Sequence, residues 1–210
     1  KIRNVNFKDG KKDGLETVWR ENGQKWDETN FKDGEELHEN GQKKTEFYGN
    51  GQKRMETNLK DGKPHGLWTI WYESGQKRSE TNFKDGEKHG LGTSWNYNGH
   101  KKSETNYVNG KEHGLSTWWY ENGKKSGEAN YVDGKAHGLE TWWYENGQKS
   151  SETNYVDGKL HGTDTRWFDN GQKGRESNLK DSRRHGLETE WDKEGKVTSQ
   201  TMFENGVEVE

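Results

Sequence analysis

Tryptophan recurs along this chain at a fixed interval: residues 71, 95, 119, 143, 167 and 191 are all Trp, each 24 positions after the last. A period of that length admits one small supersecondary unit per copy, and neighbouring copies must stack because a unit so small cannot bury its own apolar side chains. Other positions keep the same phase. The Gly of an N-G-Q-K-type turn stands at 75, 99, 123, 147, 171 and 195, and a large apolar residue precedes a D-G-type turn at Phe83, Tyr107, Tyr131, Tyr155, Leu179 and Phe203. His-Gly pairs begin at His65, His89, His113, His137, His161 and His185. Upstream, Trp19 is followed 28 residues later by Phe47 in the Trp position, which places a four-residue insertion around 38–41 and makes that unit irregular.

One copy, residues 103–125, reads SETNYVNGKEHGLSTWWYENGKK. Its two halves are rich in β-branched and aromatic residues, while Asn-Gly and Asp-Gly between such halves supply the positive φ angles that tight hairpins need. Each unit therefore reads as two strands and two turns. With no helical periodicity and a single proline, Pro64, the units are expected to stack antiparallel. The expected fold is all-β: an elongated, single-layer antiparallel meander of tandem hairpin repeats, with residues 1–210 forming one repeat domain of about eight hairpin units.

Composition matters here mainly for what it forbids. Only 23% of residues are apolar and 34% are charged, a balance that excludes a thick core and on its own points to disorder. The phased aromatics oppose that reading: 11 Trp and 8 Tyr, each able to bury about 150–250 Å², can hold a thin structure together. Basic and acidic residues number 34 and 37 and are mixed within nearly every copy, so there is no basic stripe for a nucleic-acid backbone. Cysteine is absent, which removes disulfides, thiolate metal sites and a Cys nucleophile. No apolar run is long enough to span a bilayer. The start at Lys1 implies trimming, with any targeting segment lost before it, so a cytoplasmic and a secreted location both stay open.

The strings YVDGKAHG and YVDGKLHG, with the recurring L-x-T-x-W-Y-E-N-G-Q-K, resemble the MORN-repeat variant of bacterial proteins labelled as the YwqK-type antitoxin family. The resemblance covers the chain from about Phe7 to Gly206. It implies a hairpin-repeat scaffold that associates with proteins or membranes, and a toxin as one concrete partner. Asp13 in place of His, Ser182 in place of the turn Gly, and the insertion depart from the pattern.

Alternation along a strand sorts each second strand into two faces. One repeats almost unchanged as Leu-Thr-Trp, carrying Trp71, Trp95, Trp119, Trp143, Trp167 and Trp191; it is expected to be the structural face, a buried Trp–Leu ladder. The other changes from copy to copy, aromatic in the middle and charged toward the ends. Its Trp68, Ile70, Tyr72, Trp118, Tyr120, Trp142, Tyr144, Arg166 and Phe168 are the candidate partner-binding residues, provided the face is open to solvent. The competing reading buries these rings against the sheet's own turns.

Other patterns are explained by turns and solvated charge. Equivalent His residues lie two strands apart, nearly 10 Å at the ordinary strand spacing, too far to share a Zn²⁺ ion, so a turn-stabilising or Trp-packing role in a tight connection is expected instead. The D-G aspartates read as turn chemistry and not calcium ligands. Glu80, Glu104, Glu128 and Glu152 are expected to pair with lysines of adjacent strands. Interchangeable copies offer no unique acid–base pair, and no G-x-S-x-G, H-E-x-x-H or phosphate-cradling loop is present. No catalytic residue, metal or cofactor is therefore assigned. The expected function is a non-catalytic protein-binding scaffold, as a monomer or with weak self-association; the alternatives are a cell-surface or carbohydrate-binding protein, with a glycan stacked on the rings, and a structural or self-assembling spacer.

Overall fold

The computed structural model of the chain describes residues 2–36 and 42–210; the insertion expected near 38–41 lies outside them. Among the described residues there are strands and turns and no helix. The contacts divide into two compact units: residues 1–100 with 107–110, and residues 101–106 with 111–210. Each is a single-layer antiparallel meander. In the first unit Gly14–Trp19 pairs with Lys25–Lys32, and the run continues through Gln42–Phe47, Lys53–Lys60, Lys63–Trp71 and Lys77–Lys84 to Glu87–Trp95. In the second, Lys111–Trp119 pairs with Lys125–Val132 and the order runs through Gly138–Trp143, Lys149–Val156, Lys159–Trp167, Lys173–Lys180 and Gly186–Trp191 to Val197–Glu204.

The two turn types follow from local chemistry. At each D-G-type turn both central residues have positive φ, as in Asp133 (50°) and Gly134 (81°), the mirror-image turn whose twist suits a two-residue hairpin. The turn Gly also donates its N–H to the preceding copy, Gly134 to Glu112 O at 2.8 Å and Gly158 to Ala136 O at 2.8 Å. Ser182 keeps this geometry at φ 67°, donating to Leu160 O at 2.8 Å while its hydroxyl accepts the Leu160 N–H at 3.1 Å. The N-G-Q turns close differently. Gly147 N bonds to Tyr144 O at 2.9 Å, Tyr144 N bonds to Gln148 O at 2.8 Å, and the Asn146 side chain accepts from Gln148 N at 2.9 Å.

The His-Gly pairs are not the tight connections expected. In four of the six phased copies they lie inside continuous strands, as in Lys63–Trp71 and Lys159–Trp167, where Thr153 pairs with Asp164 but Tyr155 pairs with Leu160. Three residues there face one, a bulge that the positive φ of Gly162 (85°) permits. The histidines do support turns, but those of the following copy: the Asp85 N–H lies 3.4 Å from His65 Nδ1, and His113 and His137 approach Asp133 and Asp157 at 3.7 Å.

Burial departs from the ladder expected on the constant face. The threonines of Leu-Thr-Trp, such as Thr69, Thr141 and Thr189, are buried, whereas Leu67, Leu91, Leu115, Leu139 and Leu187 are 41–46% exposed and the tryptophans are half-buried. The physical reason is the single layer: nothing covers a side chain except its neighbours within the sheet, so the strand centre is shielded and the bulged margin carrying Leu is not. Each Trp is instead covered by a lysine of the preceding copy, Lys101 over Trp119 at 5.7 Å and Lys125 over Trp143 at 5.3 Å, contacts of about 0.5–1 kcal/mol at exposed sites. The same lysines pair along their own strand, Lys101 with Glu104 at 2.6 Å and Lys125 with Glu128 at 2.8 Å. Glu80, Glu104, Glu128 and Glu152 thus have lysine partners on their own strands, whereas the in-phase Glu56 also pairs across strands, with Lys43 at 2.8 Å.

Candidate interaction face

The variable face of the second unit gathers its aromatic residues around a departure from the repeat. Gly127 stands in phase with Ser79, Ser103, Ser151 and Ser199 of other copies, on the strand between those bearing Trp118 and Trp142, and is directly opposite both. The two indoles close over it as a stacked pair, centroids 5.2 Å apart and planes at 20°. A Cβ at Gly127 would lie 2.4 Å from the Trp142 ring, so only glycine permits this closure. Ala129, replacing the usual Thr, and Ser116 opposite it are 1% exposed and floor the same area. Trp142 is oriented further by its indole N–H, which donates to Glu140 at 2.8 Å. Tyr131 and Tyr155 stand on the same face, half-buried. Burial, joined by the carboxylate of Glu140 and others nearby, pushes both phenols above their ordinary pKa.

Beyond Trp142 the face opens into two cavities. The larger, about 490 Å³, is lined by Tyr144, Ser150, Ser151, Arg166, Trp167, Phe168, Gly174 and Arg175. The smaller, about 320 Å³, shares Ser151, Arg166 and Arg175 and reaches from Trp142 to Arg184. Asp164, 4% exposed, lines the smaller one and accepts from Thr153 at 2.6 Å and Arg175 at 3.0 Å, with Arg166 Nε at 3.5 Å. Phe168 lies on Gly174, where a Cβ would come within 3.1 Å of the ring.

Of the residues selected from sequence, Trp118 and Trp142 are joined directly, and Tyr144, Arg166 and Phe168 surround one cavity. Tyr120 and Tyr144 are also tied to the scaffold, their hydroxyls donating to Trp143 O at 2.6 Å and Trp167 O at 2.7 Å. In the first unit Trp68 lies against Phe83 at 5.3 Å, Ile70 is half-buried beside it, and Tyr72 donates to Trp95 O at 2.9 Å with its ring against Tyr97. The rings are half-buried in both units, between the open patch and the fully buried row that the sequence left as alternatives.

Sequence reading missed the positions that interleave with these. Glu16, Asp164 and Glu188 count among the variable-face residues, yet they are buried and ion-paired: Glu16 to Lys12 at 3.1 Å, Glu188 to Arg184 at 3.2 Å. Gly127, Ala129, Gly174 and Arg175 lie on the first strands of their copies, whose faces alternation along the second strands leaves unassigned. Their signal was present: SGEA at 126–129 and GRES at 174–177 depart from the RSET, KSET and SSET of 78–81, 102–105 and 150–153, the copies around them.

Fold and face together define a tandem β-hairpin repeat protein with an aromatic, arginine-flanked surface. Six segments, 12–33, 64–85, 88–109, 112–133, 136–157 and 184–205, match the family model described as MORN repeat variant. They make up well over half of the chain, which belongs to that family. Repeats of this kind are scaffolds that bind proteins or membranes and are a non-enzymatic type. No helix among the described residues is long and apolar enough to cross a membrane. No curated protein matches the chain significantly.

Proposed function

We propose that the chain is a non-catalytic protein-binding scaffold whose partner lies along the variable face of the second unit, on Trp118 and Trp142 and onward over Tyr144, Arg166 and Phe168. The stacked indole pair over Gly127 carries this reading. Stability alone does not call for it, because the copies with Ser at that position form the same strands without such a pair. Large aromatic side chains held rigid in a partly desolvated setting, with Arg at the margin, are the groups that dominate protein interfaces. Tyr120 and Tyr144 set the turns that frame the face. The likeness to YwqK-type proteins makes a toxin one such partner, and that version rests on the likeness alone.

The test compares proteins captured by the intact chain, by the W118A/W142A double variant, and by an L139A control on the opposite face. Partners held by the intact chain and the control but lost by the double variant support the assignment, given unchanged far-UV circular dichroism. Equal capture by all three sinks it. Binding to a glycan array without any captured protein moves the function to carbohydrate recognition on the same rings.

A further inference from the structure

The copy that follows Trp142 departs most from its neighbours, and its departures converge on one place. Thr163 replaces Leu, Arg166 stands at a position that is Trp in the two preceding copies, and Gly174-Arg175 replaces Ser-Ser. Arg166 and Arg175 are directly opposite each other across the strands. Like charges so placed are destabilising, and here both guanidiniums converge on the single carboxylate Asp164, with Arg175 Nε buried and unpartnered. Beside the larger cavity, Lys193 lies over the Phe168 ring at 5.8 Å and pairs with Asp169 at 3.6 Å. Arg184 is held by Glu188 at 3.2 Å, while Glu190, opposite Arg175 on the next strand, is exposed and forms no ion pair with it. No carboxylate lines that cavity, whereas two arginines, two serines and the rings of Tyr144 and Phe168 do.

Resting on the proposed protein-binding function, we infer that this cavity receives an acidic side chain, Asp or Glu, of the partner. An adjoining aromatic or large aliphatic residue of the same segment seats between Tyr144 and Phe168. Arg166 is the principal contact: its side chain is 62% exposed, and its planar fork presents donors matched to a carboxylate. Arg175, held in place by Asp164, supplies the second positive charge, and Ser150 and Ser151 supply neutral donors. The volume, about 490 Å³, accommodates a pair of side chains and not a fold.

The experiment follows the arginine side-chain Nε–Hε signals by NMR in the full chain, with phenylacetate as the probe for a carboxylate joined to a ring. Saturable shifts at Arg166 and Arg175 are expected, with phenylacetamide binding about ten-fold more weakly for want of a charge-assisted hydrogen bond. R166Q should abolish the Arg175 response, and F168A should weaken phenylacetate binding, while both keep a dispersed amide spectrum. Equal responses to acid and amide, shifts reproduced by sodium chloride at matched ionic strength, or no saturable shift would each overturn the inference. Loss of partner capture by W118A/W142A together with a silent phenylacetate titration would remove this inference and leave the proposed function standing.

Discussion

At the scale of single residues, Gly127 decides the geometry of the aromatic face. Its missing side chain is the space that Trp142 occupies, so G127A forces the indole outward or the strands apart. The expected loss is about 1–3 kcal/mol, the usual cost of overpacking, with the exciton signature of the Trp118–Trp142 pair disappearing from the circular dichroism spectrum. An unchanged couplet would refute this account of the pair. Tyr131 and Tyr155 give a pH prediction. Burial raises both phenols above the ordinary value of 10.0, so the folded state favours their protonated form. Their contribution to stability is complete below pH 10 and is lost as pH rises through the folded-state values. Absorbance at 295 nm should show these two tyrosines ionising after the others, and Y131F/Y155F should flatten the loss of stability above pH 10.

At the scale of the hairpin, turn chemistry was legible in the sequence because it is local. Asp-Gly and Asn-Gly place a glycine where the turn needs positive φ, as at Gly134 (81°) and Gly147 (89°). The faces were only partly legible. Alternation assigns Leu139 and Thr141 to one side, but in a single layer exposure depends on position along the strand, which leaves Leu139 exposed and Thr141 buried. The links between copies were hidden for another reason: a Tyr at the strand end reads as a free aromatic until its hydroxyl is seen on the next copy's Trp carbonyl. Tyr144 makes such a link to Trp167 O at 2.7 Å. Y144F should therefore lower the urea-unfolding free energy by about 0.5–1.5 kcal/mol, the net value of one hydrogen bond. Y97F, at a tyrosine that is 61% exposed, should stay within about 0.5 kcal/mol of the parent.

At the scale of the whole molecule, stability is a sum of hairpins and the contacts between successive copies. The bonds between copies are short in sequence reach: Gly134 to Glu112, Tyr144 to Trp167 and Lys125 over Trp143 each join one copy to the next. Buried apolar side chains are few, Val18, Met55, Leu59 and Ala129 among the described residues, so there is no common core through which a local defect must spread. A perturbation in the second unit should accordingly remain near its origin, as nearest-neighbour coupling requires. In G127A, hydrogen exchange should accelerate in Lys111–Trp119, Lys125–Val132 and Gly138–Trp143, with Lys25–Lys32 and Lys53–Lys60 of the first unit keeping their protection. Uniform acceleration over the chain would instead show that the copies unfold as one cooperative block, and the additive picture would fail. Local opening would also leave the arginine cavity testable in that variant, because Asp164, Arg166 and Arg175 are anchored in Lys159–Trp167 and Lys173–Lys180, downstream of the disturbed strands. Phenylacetate should then still shift the Arg166 signal in G127A even where partner capture through the indole pair is lost.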